Sequence, residues 1–303
     1  MQQTLAGLWP PASTPFTADG AVDTRRLVDH AKALLRDGAT GLAILGTTSE
    51  ANSLTLAERR RVIDACVEAG IPAEKLLPGT GTCALGDAVE LSRHAGDIGC
   101  AGVLLLPPFY YKNVSDDGLF AFVGGLIERA GPKAPRVLLY HIPPTAIVGW
   151  PTDLVGRLIA AFPGIVAGMK DSSGDFDHVT TMIRSFPGFA VFPGSELHLL
   201  RGMQAGAVGC ISATANINAR GISNLIVNWQ RTDAQQLQDE VNGIRKAAEI
   251  YGLIPSTKAI LAERYRDPAW RAVRPPLVAL DEEKRRTLLA NPAVVGLLET
   301  TPA

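Results

Sequence analysis

The feature that most constrains this chain is an alternation. Short apolar runs recur through its first two thirds, and each is followed by a segment of helical periodicity. The runs are "AGLWPPAST" from Ala6, "GLAIL" from Gly41, "KLLPGTG" from Lys75, "AGVLLLPP" from Ala101, "RVLLYHIPP" from Arg136, "GIVAGMK" from Gly164, "FAVFPGS" from Phe189 and "AVGCISA" from Ala207. None alternates apolar with polar. A strand of that kind is buried on both faces, as in a parallel sheet covered by helices. Between the runs, "LTLAERRRVIDACVEAG" puts Leu56, Val62, Ile63, Cys66 and Val67 at helical spacing, and Gly70 can end that helix. Ser115 suits an N-cap and Pro151 a helix start. Eight βα units in about 230 residues predict an α/β chain folded as a (β/α)8 TIM barrel. A doubly wound sheet is the competing architecture, but no G-x-G-x-x-G or P-loop follows an early strand. After Asn218 only helical patterns follow, which predicts a C-terminal helical appendage. The predicted division is a barrel carrying the active site over residues 1–230 and a helical region over 231–303.

Composition excludes several partners. The formal net charge is −1, from 29 basic and 30 acidic residues, so no basic surplus favours nucleic acid. Cys66, Cys83, Cys100 and Cys210 lack the close spacing of a zinc site and read as free thiols in a reducing compartment. His30, His94, His141, His178 and His198 are scattered, with no pair at ligand spacing, so no metal is predicted. No secretory signal opens the chain, and no apolar run approaches a membrane span. The expectation is a soluble cytoplasmic protein acting on a small molecule.

Active sites of such barrels lie at the C-terminal ends of the strands. Those ends carry Ser13-Thr14, Gly46-Thr47-Thr48, Gly79-Thr80-Gly81, Tyr110-Tyr111 just beyond Pro107-Pro108, Tyr140, Lys170, Gly194-Ser195-Glu196 and Ile211-Ser212. Lys170 stands out. Of eight lysines it alone closes an apolar strand, whereas Lys32, Lys75, Lys112, Lys133, Lys246, Lys258 and Lys284 lie in contexts that read as solvated. Burial favours the neutral amine, which is a nucleophile toward a ketone carbonyl. The alternative is a strand-end lysine paired with Asp171 or Asp175. "GTTSEANS" offers backbone N–H groups and hydroxyls to an anion such as a carboxylate, or is an ordinary turn and helix cap. Tyr140 and the pair Tyr110-Tyr111 are either proton-relay phenols or packed aromatics. His141, one past Tyr140, should point the other way.

Together "STPF", "GTTSEANSLT", "GTG" at 79–81, "PPFYYKNVSDDGL", "LLYHIPP", "GMKDSSGD", "FPGSE" and "ISATAN", in this order, resemble the dihydrodipicolinate synthase / N-acetylneuraminate lyase family of pyruvate-dependent class I aldolases. The resemblance implies that Lys170 forms the Schiff base with pyruvate and that Tyr140 is the central proton-transfer residue. It implies that Thr47 and Thr48 hold the pyruvate carboxylate, with Thr48 also in a hydroxyl relay. Tyr111 would reach across a tight dimer interface into the neighbour's site. Gly194 and Ile211 would line the site through backbone carbonyls. The implied assembly is a homotetramer, a dimer of dimers, with no metal and no dissociable cofactor.

Departures from that family's pattern bear on the second substrate. Dihydrodipicolinate synthases place an arginine five residues after the relay tyrosine, to grip the carboxylate of aspartate semialdehyde. "YHIPPTAI" places Thr145 there, and a threonine offers no charged bidentate clamp. A 2-keto-3-deoxy sugar acid or related keto acid is therefore expected rather than aspartate semialdehyde. Ile147 stands where a glycine is usual, and Ser49 replaces the glycine of "GTTGE", with strain expected if that position needs positive φ. Leu56, Arg59 and Cys83 replace residues of the lysine-feedback pocket, so no strong feedback by lysine is expected.

Overall fold

The computed structural model describes residues 5–300; residues 1–4 and 301–303, the outer ends of the two predicted regions, lie outside it. Six parallel strands are regular: β1 (Gly7–Leu8), β2 (Val103–Leu105), β3 (Val137–His141), β4 (Val166–Asp171), β5 (Ala190–Pro193) and β6 (Gly209–Cys210). β2 to β5 pair in sequence order, and β1 pairs with β6.

The predicted runs at 41–45 and 75–81 are not regular strands. They join the ring through parallel bridges, Leu42 to Leu76 and Gly79 to Leu104. Proline and close backbone approach explain the difference. Pro10, Pro11 and Pro78 donate no backbone hydrogen bond. A Cβ on Gly79 would lie 2.1 Å from the Leu45 carbonyl oxygen. The ring nevertheless closes: Ala43 N–H donates to Pro10, Gly79 N–H to Ile44, Gly7 N–H to Val208 and Trp9 N–H to Cys210.

Strand alternation sorts the apolar side chains into two cores. Trp9, Leu77, Leu104, Leu138, Phe192 and Ile211 fill the barrel interior. Val103, Leu105, Val137, Leu139, Met169 and Val191 face the surrounding helices. Both faces are dry, which is why the runs carry no polar interruption. Each large apolar side chain so buried contributes about 1.5–3 kcal/mol.

The helices of the barrel are α1 (Thr24–Arg36), α2 (Leu56–Glu68), α3 (Leu85–Ile98), α4 (Asp116–Ala130), the single turn α5 (Pro143–Ala146), α6 (Thr152–Ala161), α7 (Phe176–Ser185) and α8 (Leu199–Ala205). Their starts are set locally. Thr55 and Glu58 form a capping box on α2, and Asp23, Ser115 and Asp175 cap α1, α4 and α7. Five more follow: α9 (Ala215–Asn228), α10 (Ala234–Glu249), α11 (Leu253–Arg264), α12 (Glu282–Leu289) and α13 (Pro292–Thr300). The fold is thus a TIM barrel with C-terminal helices. Among the described residues no helix is long and apolar enough to cross a membrane, and all four cysteines are free.

Candidate active site

Parallel pairing of β3 with β4 sets Tyr140 beside Lys170 in register. Both are buried, Lys170 to 4% exposure. The Lys170 Nζ lies 4.1 Å from the centre of the Tyr140 ring. Lys170 makes no ion pair with a described residue, because Asp171 turns to the other face and takes His178 as its partner at 2.5 Å. The alternative of a strand-end lysine neutralised by Asp171 is therefore not what the fold builds. Burial alone would push the Tyr140 phenol up. The adjacent Lys170 charge, with hydrogen bonding from Thr47, Lys170 and Ser172, outweighs it and holds the phenol below its ordinary range.

Lys170 and Tyr140 open into a cavity of about 350 Å³. Thr47 and Thr48 line it, and the Thr47 hydroxyl is 3.3 Å from the Tyr140 hydroxyl. The turn after the second run closes through Ser49 N–H and Ala51 N–H to the Gly46 carbonyl and Glu50 N–H to the Thr47 carbonyl. The amides of Thr47 and Thr48 donate to no described residue. Two free N–H groups and two hydroxyls in one turn suit an anion. Thr145, Ser172, Gly194, Ala213 and Arg245 complete the polar and small wall, and Ile142, Pro144, Leu253, Ile254, Pro255 and Leu277 the apolar part. Gly194 must lack a side chain, since a Cβ there would meet the Ser172 hydroxyl at 1.9 Å.

Two predicted site residues lie outside this wall. Ile211 turns its side chain into the barrel interior, which leaves the expected role of its backbone carbonyl untouched, and Ala213 lines the cavity. Tyr111 is 71% exposed and stacks edge-on against Tyr110. The left-handed residue of the turn is Glu50, with φ 57°, and not Ser49. Ser49 instead donates its hydroxyl to the Ala12 carbonyl and is unstrained. Lys258, read from sequence as solvated, is fully buried and pairs with the fully buried Glu50. The histidines are not all scattered either: His141 and His178 stack with ring centres 4.2 Å apart.

That stack lies behind β3 and β4. Trp150 N–H donates to His141 Nδ1 at 2.9 Å, and Trp150 Nε1–H donates to the Tyr140 carbonyl. Burial, and then the neighbouring His178, push His141 down to about 4 against the pull of Asp171. For His178 burial acts downward too, but the hydrogen bond and charge of Asp171 prevail and raise it. His141, Asp171 and His178 bring their donor atoms within 4.8 Å of one another. The two rings are only 15° from parallel, so their in-plane lone pairs do not converge on one ion. The arrangement fits an ion pair with a neutral ring stacked on it. Sequence spacing of 37 residues gave no hint of this pair, nor of Arg245, which arrives from α10.

A sequence model described as the dihydrodipicolinate synthetase family matches residues 4–291. The chain is 34% identical over 281 residues to an uncharacterised DapA-like lyase of Chloroflexus aurantiacus, covering 91% of this chain and 92% of the relative. It is similar to the crystal structure of dihydrodipicolinate synthase from Agrobacterium tumefaciens, with TM-score 0.89, 34% identity and coverage of 96% and 99%. It is also similar to YagE, a prophage protein of the dihydrodipicolinic acid synthase family from Escherichia coli K12, solved in complex with pyruvate. There the TM-score is 0.88 at 26% identity, with coverage of 99% and 100%. The chain therefore belongs to the dihydrodipicolinate synthetase family, and it is an enzyme of the lyase class.

Proposed function

We propose that the protein is a Schiff-base-forming, pyruvate-dependent aldolase. It makes or cleaves a C–C bond between pyruvate and an aldehyde, with a 2-keto-3-deoxy sugar acid or similar keto acid as the cleaved substrate. The observation that carries this reading is a buried lysine without a carboxylate partner, 4.1 Å from a tyrosine ring, at a cavity that also holds the Thr47-Thr48 turn.

The chemistry follows from those groups. In its unprotonated form the Lys170 amine adds to the keto carbon, and Tyr140 passes the proton that lets the carbinolamine lose water. The iminium so formed withdraws electrons, so a methyl proton passes to the Tyr140 phenolate and an enamine forms. The enamine carbon attacks the aldehyde carbon while Tyr140 protonates the new alkoxide. Water then hydrolyses the iminium and frees Lys170. Cleavage is the same sequence reversed, with the breaking bond's electron pair received by the iminium. Thr47 and Thr48 hold the carboxylate through their amides and hydroxyls.

The paired Tyr110 and Tyr111 suit a subunit interface. We assign Tyr111 to the neighbour's relay in a homotetramer, a dimer of dimers. The predicted barrel region then carries Lys170, Tyr140, Thr47 and Thr48, and the helical region contributes Arg245, Leu253, Ile254, Pro255 and Leu277 to the cavity wall.

The second reading is 4-hydroxy-tetrahydrodipicolinate synthase, condensing pyruvate with aspartate semialdehyde. The similarity to the Agrobacterium tumefaciens synthase supports it, and Thr145 in place of an arginine weighs against it. The test is to incubate the enzyme with pyruvate and borohydride and weigh the intact protein. The expected result is one reduced adduct, absent from Lys170→Ala. Pyruvate binding without an adduct would instead make the protein a non-catalytic keto-acid-binding barrel. Rapid pyruvate consumption with aspartate semialdehyde, but no cleavage of 2-keto-3-deoxy acids, would favour the synthase.

A further inference from the structure

Resting on the aldolase reading, we infer that Arg245 is a specificity-determining residue that donates to a neutral oxygen on the distal chain of the substrate. Arg245 lines the same cavity as Lys170, Tyr140, Thr145 and Ser172. It comes from α10, outside the eight βα units. Its side chain is 9% exposed, and the guanidinium is fixed by its neighbours. Nη1 donates to Glu196 Oε2 at 3.2 Å and to Ser212 Oγ at 3.0 Å. Nε donates to Glu249 Oε1 at 2.7 Å. Nη2 donates to no described residue and is not among the buried polar atoms lacking a partner. A rigid guanidinium with one edge tied back and one nitrogen left over is a pre-organised donor, and the opening available to that nitrogen is the cavity.

The charge around it decides what it reads. Glu196 is 1% exposed and holds the hydroxyls of Ser212 and Thr214 as well as Arg245. Glu249 is the second carboxylate on the same guanidinium. One cation between two carboxylates has no surplus positive charge to attract an anion. A distal carboxylate or phosphate would enter against Glu196 and Glu249, whereas a hydroxyl accepts the Nη2 hydrogen without adding charge. Thr145 and Ser172 supply further hydroxyl partners on the same wall. The preferred substrate therefore carries a polyhydroxylated, uncharged tail beyond the reacting carbons, in place of the charged tail that an arginine at position 145 would grip.

The probes are a six-carbon 2-keto-3-deoxyaldonate, its analogue with a carboxylate at the far end, and 2-keto-4-hydroxybutyrate, which lacks the distal hydroxyls. The wild type is expected to cleave the neutral six-carbon acid with the highest kcat/KM of the three. In Arg245→Lys, which keeps a cation for Glu196, the six-carbon to four-carbon ratio of kcat/KM falls roughly ten- to a hundredfold. Arg245→Met gives the same fall where it folds, and pyruvate–borohydride adduct formation reports a folded site in each variant. A ratio that stays within about threefold in Arg245→Lys, or a wild-type preference for the distal carboxylate, overturns the inference while the adduct still stands. Absence of the adduct in the wild type overturns the Schiff-base reading itself.

Discussion

Ile147 occupies a backbone conformation that a β-branched residue seldom tolerates, with φ 64° and ψ −49°. It follows the turn Pro143–Ala146 that carries Thr145, its N–H donates to the Pro143 carbonyl, and its side chain is 63% exposed. Little side-chain packing compensates the strain within the chain. Replacing it by glycine removes the steric clash but frees the unfolded chain, and strain of 1–3 kcal/mol outweighs that loss. Ile147→Gly is expected to be more stable by about 1 kcal/mol in urea unfolding. A variant less stable than wild type would show that the side chain has an apolar partner, such as a second subunit. Lys170 and Tyr140 are the opposite case. Their burial was visible locally, because an apolar strand delivered each one to its end.

At the scale of elements, one buried histidine joins three helices. His30 on α1 contacts Asn216 on α9 through Nε2 and the Tyr265 hydroxyl after α11 through Nδ1, each at 2.9 Å. Asn216 Oδ1 also accepts from the Ser13 amide, so the imidazole donates from Nε2 and accepts at Nδ1. Burial is the main cause that lowers His30 from 6.5 to about 4. The folded state thus keeps it neutral, while the unfolded chain takes up a proton as soon as pH falls below 6.5. Its contribution is complete above 6.5 and is lost between 6.5 and about 4. The loss is on the order of 3 kcal/mol. His30→Gln keeps a donor toward Asn216 and removes the titration. Urea unfolding at pH 7 and pH 4.5 should show the wild type losing more stability than this variant. Equal losses would mean that His30 takes up its proton as readily in the folded state as in the unfolded one. His141 titrates alike in both proteins and cancels from the comparison.

Across the whole molecule, polar contacts bind the C-terminal helices to the barrel. Lys258 of α11 reaches Glu50 in the turn after Thr47-Thr48, 208 residues earlier, with both side chains at 0% exposure. Glu50 also accepts from the Arg274 amide at 2.8 Å, and Arg274 pairs with Glu58 at the start of α2. Lys258→Met strands a buried carboxylate, and a cost of about 3–5 kcal/mol is expected in urea unfolding. Adding Glu50→Gln should recover most of it, because the uncompensated charge is then gone. A single variant costing under about 1 kcal/mol would show that water reaches the pair. The same contacts hold the Thr47-Thr48 turn against α11, so a destabilised pair should also slow adduct formation.

The sequence by itself determined the eightfold alternation, the barrel that follows from it, and the strand-end groups Thr47, Thr48, Tyr140 and Lys170. Each is a local property: an apolar run has two buried faces, and its end is where a polar residue emerges. The departure at Thr145 was legible for a different reason, its fixed offset from Tyr140 in the family's pattern that the sequence resembles. Tertiary structure alone decided the pairing of Lys258 with Glu50, the stack of His141 on His178 and the arrival of Arg245 in the cavity. Those depend on which helix face meets which turn across long stretches of chain. A lysine or arginine in an amphipathic helix looks solvated until the fold supplies the carboxylate that buries it. The weak regularity of the runs at 41–45 and 75–81 also came from packing, where prolines and a close glycine approach left bridges in place of ladders.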